Sequence, residues 1–316
     1  MKRWIALALI TLSASTQAAY PEKPIRFILP SAAGGSVDIL MRVLAQQLST
    51  QMGVGFVVEN KPGGAFVPGT MDIVRAAPDG YTLGYGNIVS LAINRALLPK
   101  LPYDVEKDLT LISNCVQVFN MLAVSNDLPV RSVQELVAYA KKHPGKLSNG
   151  SSGNGTTGHL GGELFKFMTG TDIVHVPYKG SPQAINDLMA GNIQVMFDNV
   201  PSIGPHAKAG RVRGLGVSAP KRAAQFPDLP TIAEAVPGYE TNSWGGVIGP
   251  AKLPKEVVDK LVVEIRKALA APAVQERYRQ LDTEPDGAGP EAFLELVRKE
   301  TPKWADVVKK SGAKVD

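Results

Sequence analysis

The sequence predicts an α/β protein of two lobes, each a mainly parallel sheet flanked by helices, with a cleft between the lobes. Three observations carry that expectation. Short apolar, β-prone runs alternate with stretches of helical spacing from residue 25 onward, the pattern of a parallel sheet covered on both faces. The alternation starts afresh after about residue 124, and from Pro254 the chain reads as helix to its end. A chain of 316 residues also exceeds what one hydrophobic core holds comfortably.

In chain order, Ile25 to Leu29 reads as a buried strand, and Val37 to Met52 as a helix with Leu40, Met41, Leu44 and Leu48 on one face. Phe56 to Glu59 is the second strand, followed by a helix near Thr70 to Ala76. Pro78-Asp79-Gly80 is a turn signal before the strand Tyr81 to Tyr85. Leu111 to Ser125 holds a long apolar stretch. Ser132 opens a helix, with Glu135 at the capping-box position. Lys146 to Asn149 is a strand, Leu160 to Met168 a helix and Ile173 to Val176 a strand. Ser181-Pro182 reads as a cap and an N1 proline before the helix Gln183 to Ala190. Ile193 to Phe197, Gly214 to Ser218 and Trp244 to Ile248 are strands. Helices follow over Pro254 to Ala271, Pro272 to Gln280 and Pro290 to Lys310. The expected division is residues 19–124 plus 245–316 for one lobe and 125–244 for the other, the helical tail returning to the first.

The N-terminus reads as a secretory signal peptide over residues 1–18. Lys2 and Arg3 precede the short apolar run Trp4 to Leu12, and small residues follow, with cleavage expected after Ala18 or Ala19. That run is too short to span a bilayer, and no cysteine near the cut suggests a lipid anchor. Losing Lys2 and Arg3 lowers the net charge from +5 to about +3. Such a balance gives no ground for nucleic-acid binding, which needs a clustered basic face. Cys115 is the single cysteine, so no intrachain disulfide forms, and it reads as a buried small residue.

Three Gly-rich junctions between a strand and a helix are candidate sites. The first is Ser31-Ala32-Ala33-Gly34-Gly35-Ser36. Small residues let a ligand approach the backbone, and the first-turn amides with the helix dipole hold an anion without Lys or Arg. Asp38 complements its own helix and could brace this loop. The second junction is Gly150-Ser151-Ser152-Gly153-Asn154-Gly155-Thr156-Thr157-Gly158-His159. It contains a formal Gly-x-Gly-x-x-Gly dinucleotide fingerprint, but Asp172 precedes its strand, so that reading is rejected. Its hydroxyls and amides suit a carboxylate. The third is Tyr178-Lys179-Gly180-Ser181, where Lys179 either answers a bound anion or is a solvated lysine, and Tyr178 is either a pocket or a core residue. Asp198-Asn199, after the strand ending at Phe197, lies where α/β sheets place ligand contacts; the acid either accepts an amine or hydroxyl or caps the next turn.

Motifs for catalysis or metal binding are scarce. There is no His-Glu-x-x-His, Gly-x-Ser-x-Gly or Walker sequence, and His143, His159, His175 and His206 lack metal-ligand spacing. His159 is a candidate pocket or loop-bracing residue. A serine hydrolase built on Ser151 and His159 is conceivable, yet nothing marks a third triad member.

From about Tyr20 to its end the chain resembles the Bug family, the TctC-like periplasmic solute-binding receptors of tripartite tricarboxylate transporters. The resemblance rests on Tyr20-Pro21-x-Lys23-Pro24-Ile25, Gly34-Gly35-Ser36-Val37-Asp38, Glu59-Asn60-Lys61-Pro62-Gly63-Gly64 and Pro78-Asp79-Gly80-Tyr81-Thr82-Leu83. Leu101-Pro102-Tyr103-Asp104, Ser151-x-Gly153-x-Gly155-Thr156-x-x-His159-Leu160 and His175-Val176-Pro177-Tyr178-Lys179-Gly180 complete it. It implies a Venus-flytrap fold, in the periplasm, that captures a small organic acid by hinge closure. Delivery to a transporter or a sensor would follow, with no catalysis and no cofactor or metal. The partners would be the acid and membrane subunits or a sensor, never nucleic acid, and the protein a monomer.

Carried over residue by residue, the resemblance points to Ser31 through Ser36 and Ser90 in lobe one and to Gly153, Asn154, Gly155, Thr156 and Asp198 in lobe two, the last matching a position that contacts polar ligand groups in some relatives. The reading of the loops themselves adds Asp38, Ser151, His159 and Tyr178 to the expected ligand site. Two departures stand out. Ser31-Ala32-Ala33 replaces the Phe or Tyr and Pro usual before the glycines, and Arg95 replaces a proline after Asn94. A secreted serine hydrolase and a non-binding scaffold with a vestigial cleft are the competing readings.

Overall fold

The computed structural model describes residues 20–313; the expected leader and its cleavage point near Ala18 and Ala19 lie outside them. The first lobe builds β1 (Ile25–Leu29), α1 (Ser36–Met52), β2 (Phe56–Asn60), α2 (Val67–Val74) and β3 (Thr82–Asn87). A π-helical turn at Val89–Ile93 runs into α3 (Asn94–Leu97), and α4 (Val105–Asp108) precedes the 16-residue β4 (Leu109–Val124). Next come α5 (Val133–Lys142), β5 (Leu147–Ser151), α6 (Thr157–Thr169), β6 (Ile173–Pro177), α7 (Ser181–Met189), β7 (Val195–Asn199), α8 (Val200–Lys208) and β8 (Arg213–Val217). The chain returns through β9 (Asn242–Pro250), α9 (Lys255–Ala270), α10 (Pro272–Gln280), the short β10 (Glu284–Pro285) and α11 (Pro290–Ser311).

The strands follow the order β2-β1-β3-β9-β4-β7-β5-β6, with β8 and β10 also on β4. Each lobe contributes a parallel trio, β2-β1-β3 and β7-β5-β6, and antiparallel β9 and β4 join the two. β4 serves both sheets. Leu109 to Phe119 pair with β9, whereas Asn120 to Val124 pair with β7 and β8.

Helices cover both faces of each sheet, as near-continuous apolar strands require. In the first lobe α1, α9 and α10 bury Leu44, Leu261 and Tyr278 against Phe27 and Ile112. On its other face Trp304 and Phe293 of α11 pack with Ile28 and Trp244, in a cluster that also takes in Leu160 of α6. In the second lobe α5 and α6 pack Leu136 and Phe165 on Leu122 and Phe197, and α7 and α8 bury Ile185 and Ile203 on the opposite side.

Several local readings change. Ser132 accepts the Glu135 amide at 3.1 Å, but the Glu135 carboxylate turns to the Arg131 amide at 2.6 Å, so the capping box is only half formed. Ser181 is not a cap: Gly180 occupies that position, and Ser181 is already helical with its hydroxyl turned to Asp198. Helix α8 has no counterpart in the sequence reading. Pro201 fits its first turn, where the missing N–H has no intrahelical partner anyway, but Pro205 sits inside it and hides the helical pattern.

Candidate functional site

A cavity of about 540 Å³ lies between the two sheets, at the carboxyl ends of their parallel strands. Lobe one supplies the β1–α1 loop, the Pro62–Phe66 loop after β2, and Asn87 at the end of β3. Lobe two supplies the β5–α6 and β6–α7 loops and the β7–α8 junction. Four helices begin at its wall, since Ser36 of α1, Thr157 of α6, Ser181 of α7 and the α8 cap Asn199 all line it. First-turn amides without an intrahelical partner and four positive dipole ends therefore surround a space into which the sequence sends almost no charge. Lys179 is the one cationic residue among the lining, and it is exposed.

The first loop is held from behind. Asp38, buried, accepts the Gly34 amide at 3.0 Å, the Arg42 guanidinium at 2.8 Å and the Asn60 amide at 2.9 Å. Asn60 also donates to the Ser31 carbonyl, and Gly34 takes φ +77°, a value that favours glycine. Ser31, Ala32, Gly35 and Ser36 line the cavity; Ala33, Gly34 and Asp38 do not.

Two histidines brace the second loop. The Ser151 hydroxyl lies 2.7 Å from His175 Nε2, and the Gly155 amide donates to His159 Nδ1 at 3.0 Å. That bond fixes the His159 proton on Nε2. The two rings stack with centroids 3.9 Å apart. Burial pushes His159 down to about 4 and His175 down to about 3, so both are neutral near pH 7. Thr156 caps α6 through the His159 amide and donates to the Gly153 carbonyl at 2.7 Å. Gly153, Asn154 and Thr156 line the cavity, while Ser151, Gly155 and His159 lie behind it. Ser151 is fully buried, and among the described residues no carboxylate hydrogen-bonds His175, so the serine–histidine pair has neither access nor a third member.

Asp198 does line the cavity, and it is 3% exposed. Its Oδ1 accepts the Ser181 hydroxyl at 3.0 Å, and its Oδ2 has no partner among the described residues. Burial raises its pKa from 3.8 to about 7, against the opposing pull of the Ser181 hydroxyl and the Asn199 amide. Tyr178 offers the cavity its ring only, because its hydroxyl donates to Asp187 Oδ2 at 2.6 Å; burial and that carboxylate hold the phenol up at about 12. Ser90 is absent from the cavity wall. Its hydroxyl accepts the Asn87 amide, and Asn87, which does line the cavity, uses its side-chain oxygen on the Val89 and Ser90 amides. Those bonds settle the orientation of the Asn87 carboxamide and leave its NH₂ as a donor.

Asn87 and the Pro62–Phe66 loop were not foreseen as site residues, whereas Ser181 stood in the third candidate junction and Asn199 beside Asp198 at a strand end. Gly63-Gly64 after a strand carried the same signal as the other loops; Asn87 carried none. Asn199 Nδ2 donates to Ser36 Oγ at 2.8 Å, tying the two lobes over the cavity, and its Oδ1 accepts from Asn120 of β4 at 3.3 Å. Gly180 also meets lobe one: a Cβ there would stand 2.5 Å from Ala32 Cβ, so only glycine allows this approach. No group of three or more metal-ligating side chains occurs among the described residues.

Comparison with known proteins fits this arrangement. The family model described as "Tripartite tricarboxylate transporter family receptor" (TctC) matches residues 40–313. A UPF0065 protein from the tcbD-tcbE intergenic region of Pseudomonas sp. strain P51 is 37% identical over 308 residues, covering 96% of this chain and 91% of that one. Protein BugT of Bordetella pertussis is 34% identical over 298 residues, covering 94% and 91%. Among solved structures, an R. palustris protein with adipate superposes with a TM-score of 0.91 at 37% identity, covering 94% of this chain and all of that one. The periplasmic binding protein BugD gives 0.89 at 34% identity, covering 93% and 99%. MatC from Rhodopseudomonas palustris with bound malate gives 0.87 at 27%, covering 92% and 100%.

Proposed function

The chain belongs to the tripartite tricarboxylate transporter receptor (TctC) family, and on that premise we propose that it captures a small organic carboxylate outside the cytoplasm and hands it to a membrane transporter or a sensor. The family is one of periplasmic solute-binding receptors. The observation that carries the reading is the meeting of four helix N-termini around a cleft whose only charged lining side chains are Lys179 and Asp198. Amides at helix starts stabilise a carboxylate without a paired cation. Solved neighbours holding adipate and malate support an acid as the ligand class.

Ser31, Ala32, Gly35, Ser36, Gly153, Asn154, Thr156, Tyr178 and Asp198 would touch the ligand. Asp38, Ser90, Ser151 and His159 would shape the loops from behind. The lobes would close about the point where β4 changes partners, between Phe119 and Asn120, and the facing return into β9 near Asn242, with the Ser36–Asn199 bond made on closure. Catalysis has no support in the buried Ser151–His175 pair. Monomeric action and the choice between transporter and sensor belong to the same proposal.

The test is a melting-temperature screen of the mature protein against mono-, di- and tricarboxylates, aromatic acids, amino acids and neutral sugars. Binding to the folded state alone adds about 2.7 kcal/mol at a hundredfold excess over Kd. A rise confined to acids supports the proposal. No rise with any acid, or a rise with sugars alone, overturns it.

A further inference from the structure

The helix ends explain how the cavity takes a carboxylate, but they leave Asp198 without a purpose. A carboxyl buried at 3% exposure in the wall of an anion-binding cavity, and acceptor-only once it ionises above about 7, works against that cavity at pH 8 unless the ligand brings something for it. Its Oδ1 is engaged by Ser181, and its Oδ2 is buried and unpartnered. The single cationic residue of the lining, Lys179, is exposed, and no ion pair to Asp198 occurs among the described residues. From the facing lobe, the Ser31 hydroxyl is a second buried, unpartnered polar atom on the same wall. Asn87 adds a donor there through its free NH₂. Among the side chains of the wall, hydroxyls and carboxamides both donate and accept, and Asp198 is the one carboxylate.

We infer that the ligand carries, besides its carboxylate, a hydrogen-bond donor in the form of a hydroxyl or an amine, and that Asp198 makes the protein prefer such an acid to a plain dicarboxylate of the same size. This rests on the carboxylate reading of the cavity and deepens it. A donor on the ligand satisfies Oδ2, and leaving a buried acceptor unmatched forfeits about 1–3 kcal/mol. A second carboxylate at that place would instead set two like charges together in a poorly solvated space, with no fixed cation to separate them. Sites built around a buried polar partner reject analogues that lack the matching group far more strongly than apolar pockets reject a missing methylene.

The experiment is titration calorimetry at pH 8 on the mature protein with matched straight-chain acids of four to seven carbons. Within each length the acids differ in one group: methyl, carboxylate, hydroxyl or amine, the last two at the α or the terminal carbon. The expected result is at least tenfold tighter binding of a hydroxy or amino acid than of the dicarboxylate and methyl-ended acids of equal length. Asp198→Asn keeps the volume and the Ser181 contact and should reduce that preference at least fivefold, chiefly by improving the dicarboxylate. A dicarboxylate that binds as well as its donor-bearing partners overturns the inference while leaving the carboxylate reading intact; that is the result if Asp198 is protonated and donates. An unchanged ranking in Asp198→Asn also overturns it. If the variant fails to fold, the wild-type ranking decides alone. No binding by any acid removes the carboxylate reading and this inference with it.

Discussion

Replacing Asp198 by asparagine removes a charge and almost nothing else, so it isolates the energetic consequence of burying that charge. Burial holds the Asp198 carboxyl at about 7 in the folded chain, against 3.8 for an ordinary aspartate. Between those values the native state keeps a proton that the unfolded state has released. The unfolded state binds fewer protons there, so this group's contribution to stability is fully present below 3.8 and is lost as pH rises to about 7. Asparagine does not titrate. The stability of Asp198→Asn relative to wild type should therefore grow with pH and level off above 7. At about 1.36 kcal/mol per unit, the two units from pH 5 to 7 give about 3 kcal/mol. Water entering an opened cleft lowers that figure, which makes it a ceiling. Urea unfolding of the ligand-free proteins at pH 5 and pH 8 measures it directly. If the difference between variant and wild type moves by less than about 0.5 kcal/mol between those conditions, Asp198 is not the buried acid described above.

Gly158 lies against β7, and an alanine Cβ there would come within 2.2 Å of the Phe197 carbonyl oxygen. Gly158→Ala should lose about 2–3 kcal/mol in urea unfolding and weaken ligand binding, because the start of α6 must move. His159→Leu strands the Gly155 amide and should cost about 1–3 kcal/mol near pH 7. The unfolded chain protonates this histidine near 6.5 while the folded chain resists until about 4, so wild-type stability falls over that window as pH drops. The gap between wild type and His159→Leu should accordingly narrow from pH 7 to pH 5; a constant gap would count against the buried, neutral imidazole. Cys115 is fully buried, and burial pushes its thiol up to about 12. A thiol reagent at pH 8 should label it only after denaturant is added, and rapid labelling of the native protein would contradict that.

Much of the fold was legible because β–loop–helix units announce themselves locally. Ile25–Leu29 needs only its own apolar residues to read as a strand, and Gly34-Gly35 before Val37, Leu40 and Met41 marks both a turn and the helix after it. The candidate site was legible where the same signal recurred, in the loops at Ser31 and Ser151. It was opaque where function depends on which residues meet. Ser90 carries a hydroxyl of the expected type, but the π-helical turn directs it inward to hold Asn87, and Asn87 is the residue that reaches the cavity. The hydroxyls of Ser151 and Thr156 looked available in sequence; the sharp turn through Gly153, at φ +133°, brings them onto the loop's own backbone. His175 and Asn199 act through partners 24 and 163 residues away, distances over which no local pattern operates.

The position of β9 bears on when the protein can fold. This strand, Asn242–Pro250, lies between β3 and β4 in the sheet, with Val247 beside both Tyr85 and Ser113. Two strands made early in synthesis stay apart until one made more than a hundred residues later slides between them. An N-terminal piece ending before residue 242 can assemble β2, β1 and β3 but lacks the centre of its sheet, and α9 and α10, which cover one face of it, are later still. Pairings so distant along the chain form slowly, since long loops must close before any contact rewards them. A chain of this design cannot complete its first sheet during synthesis until β9 has emerged, however early β1, β2 and β3 are made.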